Sequence, residues 1–142
     1  MIKLIIGPKG SGKTKKIIDA ANAVDTSAND AVFITDTNRY VYDIKHGIRF
    51  VNSSDFDVIK NSDTLLGFLG GLFAGNNDLD SVFIDGIARI TKKDISKLRN
   101  FFSKVYKIAK AEEAVVTFTI SMEEADLPEF LNKYKDKPAK AK

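Results

Sequence analysis

The stretch Ile2-Lys3-Leu4-Ile5-Ile6-Gly7-Pro8-Lys9-Gly10-Ser11-Gly12-Lys13-Thr14 decides how this chain folds. Ile2 to Ile6 is mostly β-branched and apolar, which predicts a buried strand. Gly7 to Thr14 fits the pattern G-x-x-x-x-G-K-[ST] at every fixed position. From Lys13 to about Ala23, Ile17, Ile18 and Ala21 recur at helical spacing. The reading is therefore strand, glycine-rich turn, helix. Polyphosphate is bulky and negatively charged, so a backbone that binds it must wrap it closely. Gly7, Gly10 and Gly12 carry no side chains to block that approach. The loop N–H groups then form an anion nest, and the helix opening near Lys13 adds its positive dipole end. Pro8, Lys9 and Ser11 complete the cradle. Lys13 is expected to contact the β- and γ-phosphates, and Thr14 to give its hydroxyl to Mg²⁺.

Working outward, Ala31 to Thr35 predicts a second strand ending at Asp36, and Ile48 to Val51 a third. Residues 37–47 read as irregular, in part hairpin-like. Asn61 to Ala74 predicts a helix capped by Ser62 or Asp63 and apolar almost all round, hence buried. Its glycines, Gly67, Gly70 and Gly71, are expected to permit close backbone packing. Ser81 to Ile84 predicts a fourth strand. A long helix follows from about Lys92 to Ala111, with Thr91 and Asp94 resembling a capping box. Ala114 to Ser121 predicts a fifth strand, and Glu123 to Tyr134 a last helix kinked at Pro128. Strands alternating with helices imply an α/β sandwich of three layers, its sheet of about five strands mainly parallel and its helices on both faces. One nucleotide-binding domain over 1–135 and a lysine-rich, disordered tail over 136–142 follow.

Composition excludes several classes. The chain has no cysteine and His46 is its only histidine, so thiolate and histidine metal sites are ruled out. His46 reads as a surface-loop residue. No secretory leader and no membrane span are expected, because the apolar runs are too short. With the absent cysteines this gives a cytoplasmic expectation. The high pI is local: the last ten residues hold five lysines and one aspartate, which leaves the rest of the chain near neutral.

Val82-Phe83-Ile84-Asp85 is an apolar strand ending in an acid, so Asp85 is expected to hold Mg²⁺ opposite Thr14. Together these features resemble the P-loop NTPase superfamily, in a small stand-alone form with Gly7–Thr14 as Walker A and Asp85 as Walker B. The loop is also locally similar to that of secretion and twitching-motility ATPases. The resemblance implies ATP with Mg²⁺, and catalytic roles for Lys13 and Asp85. It further implies that Thr119 or Ser121, on the strand beside Asp85, senses the γ-phosphate, unless these are ordinary strand residues. Many ATPases of this superfamily place a water-polarising glutamate directly after the aspartate, whereas this chain has Gly86. Slow hydrolysis, or activation by a protein partner supplying the missing group, is the expectation. Small-molecule or nucleotide kinases with this layout bind the acceptor at an acid such as Asp36, which otherwise reads as a turn residue. A nucleotide sensor without turnover is the third possibility.

Thr91-Lys92-Lys93-Asp94 matches the guanine-binding pattern [NT]-K-x-D by letter but follows Asp85 too closely, so ATP is preferred over GTP. Arg39, Arg49, Arg89 and Arg99 are the candidates for an arginine finger, and each reads better as a surface or structural arginine. Lys93, Lys97, Lys104 and Lys107 fall in one stripe of the long predicted helix. That stripe fits a solvated face better than a nucleic-acid surface, since no stacking aromatics interleave it.

Overall fold

The computed structural model describes residues 1–135. The tail expected at 136–142 lies outside the described residues. Five strands form one all-parallel sheet: β1 (Ile2–Gly7), β2 (Asp30–Thr35), β3 (Arg49–Asn52), β4 (Leu79–Ile84) and β5 (Val115–Ser121). Their order is β1-β5-β4-β2-β3. The helices are α1 (Lys13–Asn22), α2 (Ser62–Ala74), α3 (Ile87–Thr91) and α4 (Arg99–Ala111).

Side chains alternate across each strand, so each strand feeds two cores. Ala31, Phe33 and Phe83 pack with Ile17 and Ala21 of α1 on one face. Val32, Ile34, Val82, Ile84 and Phe118 pack with α2, α3 and α4 on the other. The result is a three-layer α/β sandwich, with apolar residues buried on both faces as a parallel sheet requires. Phe102 of α4 lies 4.8 Å from Phe118, ring centroid to centroid. Leu65 of α2 is fully buried in the same layer, and such burial is worth about 1.5–3 kcal/mol.

Several local expectations need correction. The cap of α2 is Asn61, whose side chain accepts from the Thr64 amide while Thr64 Oγ1 accepts from the Asn61 amide. Neither Ser62 nor Asp63 caps it, because Asn61 is the residue still extended. The helix is also not buried all round: Leu65, Leu69 and Phe73 are buried, but Leu66, Phe68 and Leu72 are only partly covered. Open space surrounds Gly67, Gly70 and Gly71, so no backbone packs closely on them.

The long helix begins at Arg99 rather than Lys92. Before it, α3 stops at Thr91 and is followed by Lys92, whose φ of 56° is left-handed. A 3-10 turn at Ile95–Lys97 follows. The break brings Ile87, Ile90, Ile95 and Leu98 into the core together, which a continuous helix from Lys92 would not do. It also removes Lys93 and Lys97 from the helical stripe shared by Lys104 and Lys107. Thr91 does not cap a helix; it ends α3, and its buried hydroxyl donates to Ile87 O at 2.8 Å.

Residues 37–47 hold turns without strand pairing. The last predicted helix is two 3-10 segments, Glu124–Asp126 and Glu129–Tyr134. Pro128 separates them, since it holds the preceding Leu127 extended and offers no N–H. Leu127, Leu131 and Tyr134 still reach the core. Among the described residues no helix is long and apolar enough to cross a membrane.

Candidate functional site

All five strands run in one direction, so their C-terminal ends share one edge of the sheet, and the loops that leave it are brought together there. β1 delivers Gly7 to this edge and α1 carries the chain away. Gly12, at φ 86°, is the residue before α1, and Gly10 lies at φ 84°. Both values suit glycine and would strain other residues. The loop closes on itself through Ser11 N donating to Pro8 O at 3.2 Å. A Cβ on Gly7 would collide with the Ser11 side chain. No side chain caps the N-terminus of α1. Its first-turn amides therefore have no side-chain partner and are open to an anion or to water.

The strand register builds the other half. Ile5 pairs with Thr119, Phe118 with Ile84, Ile84 with Ile34, and Thr35 with Asn52. One residue beyond β4, Asp85 continues the ladder by donating its amide to Ile34 O at 2.9 Å. Thr119, Asp85, Thr35 and Asn52 thus stand in one row across the sheet. Asp85 is two residues from Phe83, so this row faces α1.

Thr14 lies in the first turn of α1 and meets that row. Its Oγ1 donates to Asp85 Oδ2 at 3.2 Å. Thr119 Oγ1 donates to Asp85 Oδ1 at 2.6 Å and accepts from the Gly86 amide at 3.1 Å. Asp85 is 3% exposed, so both its oxygens are held by hydroxyls out of bulk water. Lys13 is buried too, and its Nζ donates to Pro8 O at 2.9 Å. Burial pushes its pKa down; Asp85 opposes that shift and the charge of Arg89 adds to it. Thr35 is fully buried and its Oγ1 has no hydrogen-bond partner among the described residues.

The donors around Asp85 are a carboxylate and hydroxyls, the hard oxygen ligands that suit Mg²⁺. No group of three or more His, Cys, Asp or Glu could hold a metal among the described residues. A cation here would have to take most of its ligands from phosphate and water, which is how Mg²⁺ enters nucleotide sites.

The fold brings together Gly7 to Thr14, Asp85 and Thr119. Ser121 pairs with Gly7 across β1 and β5 but is exposed. Asp36 is not simply a turn residue: its carboxylate takes a bidentate pair from Arg89, Nε to Oδ2 at 3.0 Å and Nη2 to Oδ1 at 3.2 Å. Arg39 lies over the Tyr40 ring and Arg99 over the Phe130 ring, which fits structural roles. Arg49 and His46 are exposed.

Thr35 escaped the sequence reading as a neighbour of Asp85, and Arg89 stood in it only as one of four candidate arginine fingers. The only local signal for Arg89 is its spacing from Gly86, three residues, which is about one helical turn. Gly86 has φ 89°, and a Cβ there would fall on the Arg89 guanidinium. The glycine after Asp85 thus makes room for an arginine. No model of a known protein family matches this chain, and no curated protein matches it in sequence.

Proposed function

We propose that this chain binds ATP with Mg²⁺ through Gly7 to Thr14 and Asp85, and that it turns the nucleotide over slowly or only with a partner. The observation that carries the reading is the 3.2 Å contact between Thr14 Oγ1 and Asp85 Oδ2. These two residues are 71 apart in sequence, and their meeting beside a phosphate-nest loop is what a Mg-triphosphate site requires.

In this reading the loop amides and Lys13 neutralise the phosphates. Lys13 gives up Pro8 O for them, and Thr14 and Asp85 turn from each other to the cation. Mg²⁺ held by Thr14 and Asp85 would supply neutralisation of the phosphate charge. Thr119 keeps Asp85 oriented throughout.

Two features support slow turnover. Gly86 stands where a water-activating glutamate would be, and both nearby acids are engaged, Asp85 by hydroxyls and Asp36 by Arg89. ATP is preferred to GTP because Thr91, the first residue of the guanine-like pattern, is 2% exposed. Buried in the core, it offers nothing to a base.

The test is calorimetric titration with ATP in Mg²⁺ and again in EDTA. Wild type should bind more tightly with Mg²⁺, and Asp85→Asn should lose most of that gain. Equal wild-type affinity in the two buffers would remove the metal-site reading.

A further inference from the structure

Arg89 is the residue on which two features of the fold converge. The chain leaves β2 toward the α1 face, whereas the neighbouring β4 and β3 lead to α3 and α2 on the opposite face. A parallel sheet opens a crevice where such connections diverge. Here the crevice lies at the end of β2, with a volume of about 320 Å³, and Asp36, Ser54, Lys60, Arg89 and Lys92 line it. Arg89 also lines a second cavity, of about 190 Å³, with Lys9 of the loop, Gly86, Thr119 and Ser121. Arg89 is therefore shared by the crevice and by the cavity that Lys9 of the loop also lines.

The Asp36 pair is bidentate but lies at the surface: the Arg89 side chain is 52% exposed and that of Asp36 28%. Water screens it in part, so a more highly charged partner can compete for the guanidinium. A terminal phosphate offers the same fork geometry with more charge. Arg89 also lies within electrostatic reach of the loop: its charged state is favoured first by the Asp36 hydrogen bond and, more weakly, by Asp85, and its charge adds a small push to the burial that lowers the pKa of Lys13. The bare backbone of Gly86 leaves the guanidinium a path alongside Asp85.

We propose that Arg89 reads the terminal phosphate, leaving Asp36 for the γ-phosphate of a bound triphosphate and staying on Asp36 when only a diphosphate is bound. The proposal rests on the phosphate-site reading above and adds to it a residue that distinguishes ATP from ADP. The exchange frees the Asp36 carboxylate to face the crevice, so the charge of the crevice follows the nucleotide state.

Titrations of Mg-ATP and Mg-ADP against wild type, Arg89→Gln, Asp36→Asn and Lys13→Ala test this. Arg89→Gln should weaken ATP about tenfold, the scale of a lost charge-assisted contact, and leave ADP within about twofold. Asp36→Asn removes the competing partner and should tighten ATP while leaving ADP unchanged. Equal effects of Arg89→Gln on both nucleotides, or weaker ATP binding in Asp36→Asn, would overturn the proposal. If Lys13→Ala loses both nucleotides while Arg89→Gln changes neither, the phosphate site stands and the role of Arg89 falls. If wild type binds neither nucleotide, both readings fall.

Discussion

Asp85 is a buried carboxylate whose oxygens both accept from threonine hydroxyls, Thr14 on one side and Thr119 on the other. Of the two, Thr119 makes the shorter bond and also accepts from the Gly86 amide. Removing that hydroxyl leaves one buried acceptor and one buried donor short of a partner. Thr119→Val should therefore cost roughly 1.5–3 kcal/mol of stability, the range for hydrogen bonds involving a charged group, as measured by urea unfolding. A change below about 0.5 kcal/mol, the level of an ordinary surface substitution, would mean that Thr119 does not hold the carboxylate. Residues of this kind were partly legible in the sequence. Lys13 and Thr14 are fixed by an eight-residue pattern whose chemistry is local, and Asp85 ends an apolar run. The Asp36–Arg89 pair was not legible, because it joins residues 53 apart. Their meeting depends on β2 and β4 being neighbours, which no local signal encodes.

At the scale of elements, the five strands follow from apolar β-branched runs. Helix starts and stops were harder to read, because caps and breaks depend on the conformation of single residues. Lys92 ends α3 in a left-handed conformation, although lysine is not a residue that marks such a stop. The reason lies in tertiary packing, since the break lets Ile90 and Ile95 share one core. At α2 the choice among Asn61, Ser62 and Asp63 was decided by which residue remains extended. Asn61→Ala should destabilise the fold by about 1 kcal/mol, as loss of an N-cap does. Chemical denaturation of Asn61→Ala beside Ser62→Ala checks this. A larger loss at Ser62 would move the cap and contradict the assignment. Pro128 could be read as a kink, but the short 3-10 turns around it reflect packing of Leu131 and Tyr134 more than local preference.

At the scale of the whole molecule, the sheet order places β5 between β1, which leads into the Gly7–Thr14 loop, and β4, which leads into Asp85. Thr119 reaches the carboxylate only because of that insertion. The same order puts the crevice at the end of β2 on the far side of Asp85, so loop, carboxylate and crevice share one edge of the sheet. Any ligand seated there touches the C-terminal ends of several strands and binds only the folded chain, so it stabilises the fold by mass action. Lys13 is central to this arrangement. It is 8% exposed, and only the Pro8 carbonyl holds its ammonium among the described residues. In the proposed function a triphosphate replaces that single contact. The most direct test is calorimetric titration of Mg-ATP into wild type and Lys13→Ala, with circular dichroism confirming that both are folded. Wild type should bind, and Lys13→Ala should bind at least about tenfold more weakly, the loss of one strong charged contact. Equal affinity in the two folded proteins, or no binding by wild type, would contradict a phosphate site at Gly7 to Thr14.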